Sequence, residues 1–479
     1  MKPMKRTTAV IRANAQSSEL LRSVLAPRPT IAERLAAGKA LRKRVPRATH
    51  AEYKRSAARQ DPIAIIKAQA KTRLPQLVPI RHARMLVSPF AFLRGSAAVM
   101  IADIAPAPVT GMNVQACGDM HVSNFGVFAS AERNLVFGIN DFDETFPAPW
   151  EWDVKRLAAS AVVCARFVGG DKADGEAAAR QAVKAYRERI RGYAAMGHLE
   201  LWYEHIDGSD VLDALSSKAR RAAERVLTKA QTRTHLQVLE RMAELVDDKQ
   251  RIVEDRPLIV RETKTQKGRS IIQAIDLFLQ GYVESLPWDR RHLFGHYQLL
   301  DVARKVVGVG SVGTRCWVTL LKGAHDDDPL FLQFKEAQPS VLAPYAKTTM
   351  PYANEGRRVV VGQRIIQGAP DIFLGWGEVD GIQYYIRQLR DMKGGAEFLP
   401  GATIMSNFIE YCGLCGWALA LAHAKSGDPA MIAGYCGKSE ELDEAMATFA
   451  HAYADQTERD HAAMLAAAKS KQLSVAKLF

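Results

Sequence analysis

Uninterrupted apolar runs and stretches of helical spacing occupy different parts of this chain, and together they predict its elements. Val136-Phe137-Gly138-Ile139 reads as a buried strand. Cys316-Trp317-Val318-Thr319-Leu320-Leu321 is apolar and β-branched, and it reads as a second. Residues 329–337 and 383–389 read as two more. Apolar positions three and four apart predict helices over residues 177–195 and 211–246, with a break near His205-Ile206-Asp207-Gly208. Further helices are predicted around 34–44, from Trp152, and over 356–367, 403–425 and 441–473. Residues 251–253 and 258–260 read as a short hairpin. Strands gathered among long helical regions predict an α+β fold.

Composition narrows this picture. A chain of 479 residues with 48% hydrophobic content can bury a substantial core, and its length suggests two to three domains or lobes. No apolar run is long enough to span a membrane, and no signal-peptide pattern opens the chain, so a cytoplasmic location is the expectation. The six cysteines (117, 164, 316, 412, 415, 436) are scattered through apolar segments, which suits reduced, packed thiols. Cys412-Gly413-Leu414-Cys415 lies in a predicted helix with no second pair to complete a zinc site.

The net charge of +13 is concentrated at one end: residues 1–60 hold fifteen Lys/Arg against three acids, a balance of +12. Such an arm could bind nucleic acid or an anionic surface, or act as a targeting segment. A solvated tail followed by a charged helix is the preferred reading, because the aromatic interleaving of single-strand binders is nearly absent.

Candidate chemistry sits in two places. Residues 117–145 put Asp119, His121 and Asn124 in a D-x-H-x-x-N loop, followed by a turn, a strand, and Asp141-Phe142-Asp143. A phosphoryl-transfer site needs such parts: a carboxylate to take the acceptor's proton, with an amide oxygen and a second carboxylate to hold Mg²⁺. Asp119 and His121 are the catalytic candidates; Asn124, Asp141 and Asp143 are the metal candidates. Simple capping of a turn is the plain alternative. Far downstream, Gly308, Gly310 and Gly313 form a G-x-G-x-x-G with Ser311 inside it. A strand rather than a helix follows, which favours a phosphate-covering hairpin over a dinucleotide fold. The next strand carries Lys335, which with the glycine loop in place reads as a phosphate contact, an ordinary strand-edge lysine being the alternative. Asp153 and Arg156 open a helix; Asp153 is either a bond to the catalytic loop or an N-cap.

These motifs resemble an established family. Arg84-Met85, Ser88-Pro89-Phe90-Ala91-Phe92-Leu93-Arg94-Gly95, both Asp clusters, Trp152-Asp153-Val154-Lys155-Arg156-Leu157 and the glycine loop are similar to the bacterial domain of unknown function 2252. So are Gln388-Leu389-Arg390-Asp391-Met392-Lys393 and Tyr453-Ala454-Asp455-Gln456, and the likeness runs from about Ile31 to near the C-terminus. That family is grouped with kinase-like proteins, among them the aminoglycoside phosphotransferases. The resemblance implies Asp119 as base, Asn124 and Asp141 as metal ligands, and Gly308, Gly310, Gly313 and Lys335 as nucleotide-binding elements.

In kinases, however, the glycine loop and lysine precede the catalytic loop. Here they follow it, so the implied fold is a protein-kinase-like two-lobe fold, circularly permuted, with a large helical C-lobe. The helix after the lysine strand usually reads Arg-Val-Val-Glu-Gly-Gln-Arg in the family, and its glutamate would be the partner of the lysine. Val361 stands at that position here, and Glu355 is the nearest upstream substitute.

The expected layout is a basic arm and helix over 1–60, catalytic and metal loops with helical lobe over 61–299, a nucleotide-binding sheet over 300–392, and completing helices over 393–479. The expected function is ATP- and Mg²⁺-dependent phosphotransfer to an unidentified small-molecule or protein acceptor. AMP transfer on the same scaffold and a non-catalytic nucleotide-binding module are the alternatives.

Overall fold

The computed structural model describes residues 18–477 apart from 233, 234, 248, 266, 307, 309, 390 and 391, and apart from the side chains of 20 and 235–237. Residues 1–17 of the basic arm, Val307 and Val309 of the glycine loop, and the Arg390-Asp391 landmark therefore lie outside the description.

The fold is α+β. Its helical part is built around the helix Trp150–Phe167, which is buried on almost every face. Small residues between Ala158 and Ala165 let neighbours approach this axle closely, and Lys172–Tyr193, Met405–Ser426 and Glu441–Lys469 pack around it. The helix opens at Trp150, two residues before the expected start, because Pro149 precedes it and supplies a fixed φ at the turn. Tight crossing is set by Gly416, where an added Cβ would meet Ala182 O at 1.9 Å.

Short strands carry the loops of this part. β1 (Asn113–Ala116) pairs with β4 (Phe146–Pro149), and β2 (Phe125–Ala129) forms a hairpin with β3 (Leu135–Ile139), extended by β5 (Ile206–Asp207). Next, β6 (Ala243–Val246) pairs with β7 (Lys249–Ile252). That hairpin corrects the helix expected over 211–246. Helices run over Gly208–Asp213, Ser217–Thr232 and His235–Met242, and then Asp247 at φ 51° turns the chain back on itself. Strand pairing there overrides the helical spacing.

The second part is a six-stranded antiparallel sheet. β8 (Ile259–Val260) pairs with β9 (Gln298–Lys305), then come β10 (Cys316–Lys322), β11 (Pro329–Glu336), β13 (Ile382–Gln388) and β12 (Gly375–Val379). The hairpin expected between 251–253 and 258–260 does not form: β7 goes to β6 and β8 to β9, with only an Asp255–Ile259 bridge between them.

β11 is buried on both faces, and its period of two sorts its side chains. Leu330, Leu332 and Phe334 pack with Phe278 and Tyr282 of the helix Ile271–Ser285. Phe331 faces the other way, with Val318 and Leu320. Lys335 shares that parity and is registered between Cys316 and Tyr385 in mid-sheet. The helix Glu355–Ile366 connects β11 to β12.

Four short helices, Pro62–Ala70, Val78–Leu86, Pro89–Gly95 and Ala97–Ile104, precede β1. Asp61 and Ser88 cap two of them, each with proline at the first position, which fixes their starts. Upstream, Ile31–Ala40 docks on Pro429–Cys436, and Arg42 and Arg47 donate to the Gly434, Tyr435 and Cys436 carbonyls. These two arginines of the basic segment are thus committed internally. All six cysteines are free and buried, and among the described residues no helix is long and apolar enough to cross a membrane.

Candidate functional site

β1 delivers the chain to Cys117 and Gly118, where φ is +78° and an added Cβ would meet Glu144 O at 2.7 Å. Only glycine fits that turn. Asp119 follows it. One face of the helix Trp150–Phe167 holds the loop through residues three and four apart. Asp153 accepts from the backbone N–H groups of Cys117 (2.6 Å) and Gly118 (2.9 Å), Arg156 Nε donates to Asp119 Oδ1 (2.8 Å), and Ser160 Oγ accepts from Val122 N (3.1 Å). Asp153 is therefore a positioning group and not an N-cap. His423, itself fixed by Tyr186, lies 3.3 Å from Asp153.

Arg156 engages one oxygen of Asp119 and leaves Oδ2 towards a cavity of about 120 Å³. Burial pushes the Asp119 carboxyl up, against the Arg156 charge, which pulls it down. His121 lines the same cavity, but its Nε2 stands 3.9 Å from Asp119 Oδ2, beyond hydrogen-bond reach. Burial, with Arg94 and Arg156 nearby, pushes its imidazole well down, so it is neutral, and its Nδ1 has no partner.

Asn124 Nδ2 donates to Asp119 O (2.7 Å), which leaves its Oδ1 available. Asn140 N bonds Asn124 O at 2.8 Å and so ties this loop to the end of β3, where Asp141 emerges.

Lys335 reaches this loop from the sheet. Its Nζ is 2.6 Å from Asp143 Oδ2 and 3.6 Å from Asp141 Oδ1, although 194 positions separate Lys335 from Asp141. Asp143 also accepts from Tyr385 OH (2.5 Å) and Ser311 Oγ (3.1 Å). Burial raises the Asp143 carboxyl, and Lys335, Tyr385 and Arg387 outweigh it, leaving the group at about 2. Asp143 is thus the counter-ion of Lys335, with both oxygens engaged, rather than the metal ligand expected from sequence. Glu355 is corrected as well. It pairs with Arg358, whose Nη groups donate to the carbonyls of Thr145 (2.6 Å), Asp143 (2.9 Å) and Gln338 (2.8 Å). An arginine and not a glutamate links this helix to the Asp141–Asp143 loop.

Gly308 and Gly310 line the cavity with Ser311, and Gly308 and Gly313 have positive φ. The loop is clasped from outside: Leu74 N donates to Gly313 O (2.7 Å), Arg73 Nη1 to Val312 O (2.5 Å), and Arg84 to Gly308 O.

Glycine loop, lysine strand and both Asp clusters, with the landmarks around them, thus lie in a single continuous structure. The chain belongs to the DUF2252 family. The family model, described as an uncharacterized protein conserved in bacteria, matches residues 73–467, which starts well after Ile31. No curated protein and no solved structure matches the chain.

Sequence reasoning missed several residues in this DUF2252 chain. Gln69, Arg81 and Arg94 line the cavity from the helices before β1, Arg73 lines it from the connection after Ala70, and Glu144 lines it beside Asp143. Arg94 stood within a family landmark but carried no site signal of its own. Arginines dispersed through short amphipathic helices read as solvent-facing positions. Among the described residues no three His, Cys, Asp or Glu side chains converge as a metal cluster.

Proposed function

We propose that this chain is an ATP- and Mg²⁺-dependent phosphotransferase on a kinase-like, circularly permuted two-lobe scaffold. The observation that carries the reading is the meeting of Lys335 with Asp141 at 3.6 Å beside a cavity that Asp119, Asn124 and the glycine loop also line. Phosphoryl transfer needs those groups around one chain of phosphates.

The path of the chain lends support. The helix Met405–Ser426 ends at Gly427, where an added Cβ would meet Val114 Cγ1 at 2.7 Å and Asn113 O at 3.3 Å. In space, then, the helix after the sheet leads into β1 and the Asp119 loop, as kinase order requires.

The residues fit the metal and nucleotide. Asp141 Oδ1 is buried without a hydrogen-bond partner, and Asn124 Oδ1 is uncommitted, so the two offer hard oxygen ligands. Bound Mg²⁺ would neutralise charge developing on the transferred phosphoryl group. Lys335 holds phosphate oxygens, with Asp143 keeping its ammonium charged and in place. Glycine-loop N–H groups cover the phosphates. Asp119 Oδ2 takes the acceptor's hydroxyl proton, while Arg156 and Asp153 fix its direction.

The test uses ATP labelled at the γ- or α-phosphate, with an acceptor panel, and thermal stability measured alongside. Transfer of γ-label with Mg²⁺ supports the reading. Transfer of α-label would establish AMP transfer instead, and Mg·ATP stabilisation without turnover a nucleotide-binding module. Loss of Mg²⁺-dependent nucleotide binding in Asp141→Ala is expected; unchanged metal dependence in calorimetry would remove Asp141 from the site.

A further inference from the structure

Charge around the cavity is unbalanced. Three of its acids sit in ion pairs, Asp119 with Arg156, Asp143 with Lys335 and Glu336 with Arg315; Asp141 stands 3.6 Å from the same Lys335, and burial pushes Glu144 up to about 7. Arg73, Arg81 and Arg94 do not pair with a carboxylate among the described residues. Arg81 is 1% exposed, and its Nη2 donates to Gln69 Oε1 (3.1 Å) and Gly95 O (2.8 Å), while Nε and Nη1 have no partner. Nε of Arg73 and of Arg94 is likewise buried and unpartnered. Burial first, and then the charge of Arg73, pushes the Arg81 guanidinium well below its ordinary value. Guanidinium keeps its proton in proteins, so a buried unpaired one calls for an anion.

On the phosphotransfer reading the nucleotide's phosphates have their own partners in Lys335, the glycine loop and the Mg²⁺ that Asp141 would hold. The arginines belong instead to the helical part that carries Asp119, and the Arg94 charge acts on both Asp119 and Asp141. The segment bearing Arg73 and Arg84 is bonded to the glycine loop at Gly308, Val312 and Gly313. A cavity of about 120 Å³ takes a small molecule.

We propose that Arg73, Arg81 and Arg94 form an anion subsite that holds the phosphate or carboxylate of a small hydroxyl-bearing acceptor beside Asp119. The acceptor role rests on the phosphotransfer reading; the anion subsite stands on three arginines that line one cavity without a carboxylate pair, each with a buried guanidinium nitrogen that makes no hydrogen bond. In the transfer, the acceptor oxygen gives its proton to Asp119 and bonds the γ-phosphorus as the bond from that phosphorus to the ADP oxygen breaks.

The experiment titrates the full chain with inorganic phosphate and with citrate against chloride at equal ionic strength. Calorimetry and thermal unfolding are read with and without saturating Mg²⁺ and a non-hydrolysable ATP analogue. Phosphate or citrate should bind and raise the melting temperature, and should still do so with the analogue in place; which of the two binds tells phosphate from carboxylate. Arg81→Met should weaken that binding at least tenfold while melting in chloride no lower than wild type, since it removes an uncompensated charge. Arg94→Ala, at a partly exposed position, should weaken it similarly and decides the matter if Arg81→Met does not fold. No anion response beyond chloride, or full binding in the variants, would overturn the subsite. Displacement of phosphate by the analogue would overturn its assignment to the acceptor. An analogue that fails to bind while phosphate still binds through Arg81 would refute the phosphotransfer reading and leave the subsite standing.

Discussion

At the scale of single residues, Asp119 shows how a carboxylate can be held through one oxygen while the other stays out of the ion pair. Arg156 takes one oxygen and the Asp153-bound backbone fixes the loop, so the second oxygen keeps one direction. Burial pushes the carboxyl up, against the pull of Arg156, the direction that suits a general base on the proposed reading. Asp119→Asn preserves shape and removes the proton acceptor, so ATP turnover should fall by roughly 10²–10⁴ with Mg·ATP binding intact. A variant with the wild-type rate would reduce Asp119 to a loop cap.

Glu144 invites a pH test. Burial pushes its carboxyl up to about 7, against the hydrogen bond from Val341 N (2.7 Å). The unfolded chain titrates it near ~4.3. Between those values the folded state binds more protons, so this group's contribution falls as pH rises from about 4 to about 7. Glu144→Gln cannot ionise, and its stability relative to wild type should widen across that window and stay constant above it. Urea midpoints at pH 5 and 8 check this, and a gap independent of pH would mean the carboxyl titrates normally.

At the scale of elements, glycine decides where helices touch. Gly38 and Gly434 are reciprocal: a Cβ on the first would lie 1.9 Å from Met431 O, and one on the second 2.1 Å from Leu35 O. Because both obstacles are helix backbone, neither yields by a rotamer change. Gly38→Ala should cost about 1–3 kcal/mol and loosen the 31–43 segment in hydrogen exchange. Gly192, near the end of Lys172–Tyr193, has nothing within 4 Å of an added Cβ. Gly192→Ala should instead stabilise by roughly 0.5–1 kcal/mol, and equal effects of the two would contradict the crossing. Elements of this kind were legible where their signal was local. β10, β11 and β13 and the helix Glu355–Ile366 are long runs with one periodicity. β1, β4 and β12 are four or five residues each, with proline or glycine in the last two, and their pairing comes from partners distant in sequence. The end of the 211–246 region reads as helix for the same reason, since only its partner strand reveals Ala243–Val246.

At the scale of the whole molecule, the site lies where the sheet meets the helical part, and its legibility divides accordingly. Asp119, Asn124, Asp141 and Lys335 could be picked out because each lies in a short motif whose chemistry fixes residue types. The Asp143–Lys335 pair, the Arg358 link and the arginines from residues 73–94 could not, because they exist only once distant segments are packed together. Chain order, on the proposed reading, is a secondary matter: what counts is that Lys335 reaches Asp141 beside one cavity. That reading makes a permutant informative. Opening the chain at the β6–β7 turn beside Asp247 and fusing the termini through a Gly/Ser linker places the glycine loop and Lys335 ahead of Asp119, in kinase order. The new ends fall in a tight turn and not in the core, where chain breaks are best tolerated. Loop-closure entropy changes by only ~0.6 kcal/mol for each doubling of loop length, so the fusion itself should perturb stability little. The permutant should unfold in a single transition and bind Mg·ATP within about tenfold of wild type, since a tenfold change is only ~1.4 kcal/mol. Calorimetry and thermal unfolding measure both. A permutant that folds yet cannot bind nucleotide would mean the native connection is needed to align the two halves, and the kinase-like reading of this scaffold would fall.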